Sequence, residues 1–220
     1  MVCGLFGFST ARNPDFDIFP PFEYGNAPDH LLSGRALYHL LAELDYRMAT
    51  TGLGSSSEAN SSHCVSSFLV VAASVLPNDT IINPQKQLQG RYGRGPVDFA
   101  LESKASGGFI GVTQVTRQDF RRGIAQSIVQ LEASLSNRKR ELTETADTPT
   151  PPCRAFGLVT DASVWYILEC IMDSDERISV KMSKMVPVIV YSQEGWEKKV
   201  EDVLSHLVWL LQQIETEDAN

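Results

Sequence analysis

The 220-residue chain is predicted to be an α/β protein with a central mixed sheet flanked by helices. Three observations predict it. Apolar residues recur at helical spacing in three separate stretches, near the start, in the middle and at the end of the chain. Between them lie segments rich in β-formers, two of which are joined by a glycine-containing turn. The resulting order is helix, strands, helix, strands, helix, with no internal repeat.

Residues 1–32 carry prolines and aromatics (Pro14, Phe16, Phe19, Pro20, Pro21, Phe22, Tyr24) without a helical period, and read as an extended arm lying on the rest. Residues 33–220 are expected to form one domain. Its first helix opens at Ser33-Gly34 and places Leu37, Leu40, Leu41, Leu44 and Met48 on one face, with His39, Glu43 and Asp45 on the other. Residues 50–62 are a flexible loop by composition. Residues 64–76 are apolar throughout; strand and helix both remain open, and Val65, Phe68, Leu69, Ala72 and Leu76 fit a helix slightly better. Residues 77–90 read as loop, followed by strands at 97–103 and 109–115 joined by Lys104-Ala105-Ser106-Gly107-Gly108, a hairpin-type connection.

The helix that follows, from Asp119 to Leu135, puts Phe120, Ile124, Ile128, Leu131 and Leu135 on one stripe. Arg122, Gln126 and Gln130 form a second stripe, away from the core stripe. Residues 137–152 read as a polar surface loop. Strands are expected at 155–160, 164–171 and 178–184, with 186–191 as one more. An amphipathic helix at 195–214 closes the chain, burying Trp196, Val200, Val203, Leu207, Leu211 and Ile214. Trp165 and Trp209 are core residues by default.

Composition excludes several function classes. With 43% apolar and 21% charged residues the chain is an ordinary globular one, and its longest apolar run, Phe68 to Ala73, is far too short to span a membrane. The start lacks the basic and apolar regions of a signal peptide. Cys3, Cys64, Cys153 and Cys170 are far apart, no CxxC occurs, and His30, His39, His63 and His206 are dispersed, which argues against zinc and for reduced thiols in an intracellular setting. Gly90, Gly93 and Gly95 are turn glycines, since no Lys-Ser/Thr follows them; no GxSxG, HExxH or DFG pattern is present. The net charge is −8, yet the segment from Lys86 to Arg140 holds ten basic and four acidic residues, a local +6 that leaves about −14 elsewhere. A locally basic face on an acidic body suits a polyanion.

One pattern carries chemistry. Asp98 stands on one strand, and Gln114 and Thr116 lie one residue apart on the next, so both point to one face with Val115 turned away. A helix comes directly after. The stretches GRYGRGPVDFAL, IGVTQVTRQDFRRGIAQSIVQLEASL and RAFGLVTDASVWYIL, spanning about residues 85–172, resemble the restriction-endonuclease-like (PD-(D/E)XK superfamily) domains of Crinkler-type effectors. The resemblance implies a restriction-endonuclease-like core and a phosphodiesterase centre at Asp98, Gln114, Thr116 and Gln126, with the helix at 33–49 as the first helix of that core.

The resemblance also implies a metal site for Mg²⁺ at Asp98, Gln114 and Glu43. Nucleic-acid contacts would come from Arg91, Arg94, Lys104, Arg117, Arg122 and Gln130. The chain departs from the family's pattern where it matters most. Gln114 stands where the family carries Glu, and offers a hard cation a neutral carbonyl instead of an anionic oxygen. Thr116 stands where the family carries the Lys whose charge faces the scissile phosphate. Arg117 lies on the other strand face, and Lys104 is the remaining candidate to reach in from the turn. The expectation is a catalytically impaired nuclease that binds DNA or RNA, with Mg²⁺ held weakly. The alternative is a non-catalytic effector using the same fold to bind a host protein. No membrane partner is expected, and an effector of this type would act inside the cell, including the host nucleus; the oligomeric state stays open.

Overall fold

The apolar stripes read from the sequence become buried helix faces. Helix α1 (Gly34–Thr51) buries Leu40 and Leu44, and helix α2 (Glu58–Ser74) buries Cys64, Val65, Phe68, Leu69 and Ala72. The stretch that was open between helix and strand is therefore helical. Helix α3 (Phe120–Thr145) and helix α4 (Trp196–Asp218) complete the set. The structure, a computed structural model, describes residues 18–32, 34–51, 57–76, 80–104, 109–116, 119–145, 153–186 and 188–218.

The strands are β1 (Thr80–Pro84), β2 (Gln87–Gln89), β3 (Arg94–Pro96), β4 (Phe99–Ser103), β5 (Phe109–Val115), β6 (Cys153–Thr160), β7 (Trp165–Met172) and β8 (Ile178–Met182). Six of them form one sheet in the order β1-β4-β5-β6-β7-β8, and β2 and β3 pair separately. Neighbours are antiparallel except β5 and β6, which run parallel. That one parallel pair follows from the crossover: α3 carries the chain from the end of β5 back to the start of β6. The expected mixed sheet flanked by helices is the observed architecture.

Side chains sort the sheet into two faces. Phe99, Leu101, Val115, Phe156, Leu158, Trp165 and Ile167 pack with α1, α2 and α4, where Phe68 stacks edge-on against Trp165 at 5.1 Å. Ala100, Val159, Leu168 and Cys170 pack on the opposite face against Ile124, Ile128, Leu131 and Leu135 of α3. Residues 20–22 lie along the last strand of the sheet. Phe22 donates its N–H to Met182 O at 2.9 Å and Met182 donates to Pro20 O at 3.1 Å, so the arm covers the free edge of β8.

Four expectations are corrected. Residues 50–62 are not loop throughout, because α1 runs to Thr51 and α2 begins at Glu58. Residues 77–90 are not simply loop, because they hold β1 and β2. The helix expected to stop at Leu135 runs to Thr145, with Lys139 Nζ donating to the carbonyls of Asp173 and Ser174 at 2.8 Å each. Residues 186–191 contribute a bridge at Val186 to Trp165, not a strand. Gln130 is buried on its separate stripe of α3, and its amide donates to Pro96 O at 3.0 Å because the β2–β3 hairpin covers that flank of α3. Gly90 permits that cover, since a Cβ there would lie 2.3 Å from the Ala133 Cβ.

Cys64, Cys153 and Cys170 are buried, while Cys3 lies outside the described residues. Burial pushes the Cys64 thiol up to about 11, and burial together with the Glu132 and Glu169 charges pushes Cys170 up to about 12, from an ordinary 9.0. Burial raises Tyr191 as well. The fold thus favours the neutral thiols. Their contribution to stability is complete below pH 9 and is lost as pH rises through 11 and 12. Urea melts between pH 8 and 11 should show stability falling above pH 9, and thiol reagents should label these cysteines only as the chain unfolds.

Candidate functional site

Antiparallel pairing of β4 with β5, and parallel pairing of β5 with β6, bring the start of β4 and the ends of β5 and β6 to one end of the sheet. Asp98 enters β4 there, Gln114 and Thr116 leave β5, and α3 begins beside them. Val115 belongs to the opposite face, so alternation turns Gln114 and Thr116 toward α3, as the sequence spacing required.

The contacts are direct. Asp98 Oδ2 accepts from Gln114 Nε2 and from the Val115 N–H, each at 2.7 Å, and Asp98 Oδ1 accepts from Gln85 Nε2 at 3.1 Å. Gln85 also donates its backbone N–H to Asp98 O at 3.0 Å. It does so from the left-handed region, at φ 52°. Thr116 donates its N–H to Thr160 O at 2.8 Å. Its methyl packs against Gly123 in the first turn of α3, where an added Cβ would be only 2.8 Å away. Asp119 caps that helix by accepting the Arg122 N–H at 2.9 Å.

Gln126 is half-buried, one turn before Gln130 and one after Arg122 on the same stripe of α3. Since Gln130 binds Pro96 O, this stripe runs along the segment that leads into Asp98. The structure therefore gathers Asp98, Gln114 and Thr116 at one end of the sheet and sets Gln126 and Gln130 on the helix flank beside them. Gln85 also belongs to the cluster. Nothing in the local sequence marked it, because its place depends on the pairing of β1 with β4.

Glu43 is not brought in. It stands on α1, in the helical layer on the other face of the sheet, where its Oε1 accepts from Arg47 Nη2 at 2.7 Å and from Ser67 Oγ at 2.8 Å. Burial pushes its carboxyl up, but the Arg47 and Ser67 hydrogen bonds outweigh that and hold it below its ordinary value.

The basic residues divide. Arg94 and Arg122 are exposed on the two elements that flank the cluster, the β2–β3 hairpin and the first turn of α3. Arg91 is instead paired with Glu176 in the β7–β8 turn, and Lys86 with Glu102. Lys104 closes β4 at its other end, about 20 Å from Asp98 at ~3.3 Å per residue, and so does not reach the site from the turn. Arg117 lies outside the described residues.

A divalent cation fits this arrangement poorly. Among the described residues no group of three or more His, Cys, Asp or Glu side chains gathers to hold a metal ion. The three carboxylates near this sheet end, Asp98, Asp119 and Asp161, each accept N–H donors of the chain itself. No helix among the described residues is long and apolar enough to cross a membrane.

No family model matches the sequence. The chain is similar to Crinkler effector protein 1 of Rhizophagus irregularis, with 40% identity over 220 residues that cover 99% of this chain and 46% of that protein. The likeness reaches well beyond the 85–172 segment that first suggested it. The chain spans about half the length of this curated relative. Along nearly its whole length it is a relative of a Crinkler effector.

Proposed function

We propose that this chain is an effector domain with a degenerate PD-(D/E)XK nuclease fold, which binds nucleic acid and does not cleave it efficiently. The observation that carries the reading is the Asp98 carboxylate, which accepts N–H donors from Gln114, Val115 and Gln85 where a metal site would set a second carboxylate at position 114. The strand–strand–helix order and the shared face of Asp98 and Gln114 support a nuclease ancestry, as does the similarity to an effector. Phosphate contacts fall to Arg94 and Arg122, which leave a basic rim on either side of the cluster, with Gln126 between them.

Such binding is electrostatic and weakly sequence-specific, because the rim carries charge but no base-reading motif. Affinity for duplex DNA should fall with salt at a log–log slope of about −0.9 per phosphate neutralised. Replacing Arg94 and Arg122 by Glu should abolish binding in a titration at low salt while leaving the melting temperature unchanged. Undetectable binding of the native chain to any DNA or RNA would remove the proposal.

A specific observation favours a second reading, that of a host-protein binder. Tyr38 and Tyr46, two turns apart on α1, are 69% and 72% exposed, and large aromatics of this kind anchor protein interfaces. The pairing of Arg91 and Lys86 within the fold points the same way, since it reduces the charge left for a polyanion. Loss of activity in cells on replacing Tyr38 and Tyr46 by Ser, with nucleic-acid binding unaltered, would place this reading first.

A further inference from the structure

We infer that Gln114 does at this sheet end what a bound cation does in a metal-holding one: its amide nitrogen ties the Asp98 carboxylate to β5, and the fold here is closed without metal. The inference holds whichever partner the domain binds, so it can fail separately from the proposal above.

Three observations support it. The first is the number of donors on one carboxylate. Asp98 Oδ2 receives two N–H donors at 2.7 Å, one from the Gln114 side chain and one from the Val115 backbone, and Oδ1 receives Gln85 Nε2 at 3.1 Å. Three donors from two separate parts of the chain thus converge on one carboxylate. Hydrogen bonds to an ionised acceptor are the strong ones, and these occupy three of the roughly four acceptor positions of a carboxylate.

The second is the orientation of the Gln114 amide. Only its nitrogen end attracts a carboxylate, so the Asp98 contact decides which way the group points. Its Oε1 is left buried without a hydrogen-bond partner among the described residues. An unpaired buried carbonyl is unfavourable, and the orientation persists because the contact to Asp98 outweighs it.

The third is the strain at Gln85. Its φ of 52° is unusual for a residue with a side chain. Two bonds to Asp98 hold it there, from its backbone N–H to the carbonyl at 3.0 Å and from its side chain to the carboxylate. The clasp therefore joins the turn after β1, the entry to β4 and the exit of β5. Strained backbone of this kind survives only where its surroundings over-determine it.

A carboxylate at position 114 would behave differently. Two negative side chains at hydrogen-bond distance cannot both remain ionised unless a cation lies between them. Gln at this position keeps the same length, supplies donors instead of a second charge, and so makes the junction independent of metal.

The test is thermal unfolding in EDTA and in millimolar Mg²⁺ or Mn²⁺. The native chain should melt at the same temperature in both. Asp98→Ala should lower the melting temperature by about 5–10 °C, equally in both buffers, as expected for loss of a multiply bonded carboxylate. Gln114→Glu should melt several degrees lower than native in EDTA and regain that loss in Mg²⁺ or Mn²⁺. Gln114→Met, which keeps the length and removes the amide, should lose stability in both buffers without recovery.

A native melting temperature that rises with divalent cation, with the rise lost in Asp98→Ala, would show a resident metal and overturn the inference. So would a Gln114→Glu protein as stable as native in EDTA, or one whose loss no divalent cation restores. The native comparison needs no variant, so the inference stays testable even if a substituted chain fails to fold.

Discussion

A chain carrying both Gln114→Glu and Thr116→Lys should cleave nucleic acid in Mg²⁺ about 10²–10³ times faster than the native protein, the range that a single transition-state charge commonly supplies. The two positions lie on the face that α3 covers, beside Asp98, so the restored carboxylate and ammonium would act at one place. The two changes serve one step, metal capture and charge stabilisation at a single phosphate, so the double variant should exceed the product of the singles. Gln114→Glu alone should gain little cleavage. The measurement is turnover of labelled single- and double-stranded DNA and RNA under Mg²⁺ titration. Efficient cleavage by the native chain, abolished by Asp98→Ala, would show that a cation supplies the missing charge after all. Lys104 is too distant for that role, which would leave the basic residues at the start of α3.

Trp165→Ala should cost about 3–5 kcal/mol of stability, the range for deleting a fully buried large aromatic. Trp165 is 1% exposed, packs edge-on against Phe68 of α2, and donates its indole N–H to Ala162 O at 3.3 Å. Ala162 is itself strained, at φ 76°, and its carbonyl also accepts from the Tyr191 hydroxyl at 2.8 Å. The substitution therefore opens a cavity between sheet and helices and loosens the turn that follows β6, next to the Thr160–Thr116 hydrogen bond. Total stabilities of about 5–15 kcal/mol are usual, so roughly a fifth or more of the margin is at stake. Urea unfolding reads the change directly, and a shift of about 6–20 °C should accompany it. Trp209→Ala, at a partly buried position on α4, should cost less. Equal effects from the two would contradict the assignment of Trp165 to the centre of the packing.

Where one local period dominates, the sequence determines the element. Leu37 to Met48, Phe120 to Leu135 and Val200 to Leu211 each repeat at helical spacing, and each became a helix burying that stripe. Strand alternation likewise sufficed to place Gln114 and Thr116 on one face and Val115 on the other. The pairing of two successive strands then put Asp98 within hydrogen-bond reach of Gln114. These features depend on neighbours in sequence, and local physics is enough for them.

Tertiary structure alone decided the rest. Residues 80–84 have no clear alternation and become a strand because the edge of β4 supplies hydrogen bonds. Gln130 lies on a stripe apart from the apolar one, and only the β2–β3 hairpin decides that it is buried with its amide on Pro96 O. The basic segment is evident in composition, yet long-range pairing sends Arg91 to Glu176 and Lys86 to Glu102, leaving Arg94 and Arg122 flanking the cluster. Glu43 carries the right chemistry for a ligand and is placed on the opposite layer, bound to Arg47 and Ser67. Gln85 has no local signature at all. The physical reason is common to all of these: a side chain's role is set by which partner's charge or hydrogen bond reaches it, and such partners lie far away along the chain, where periodicity carries no information.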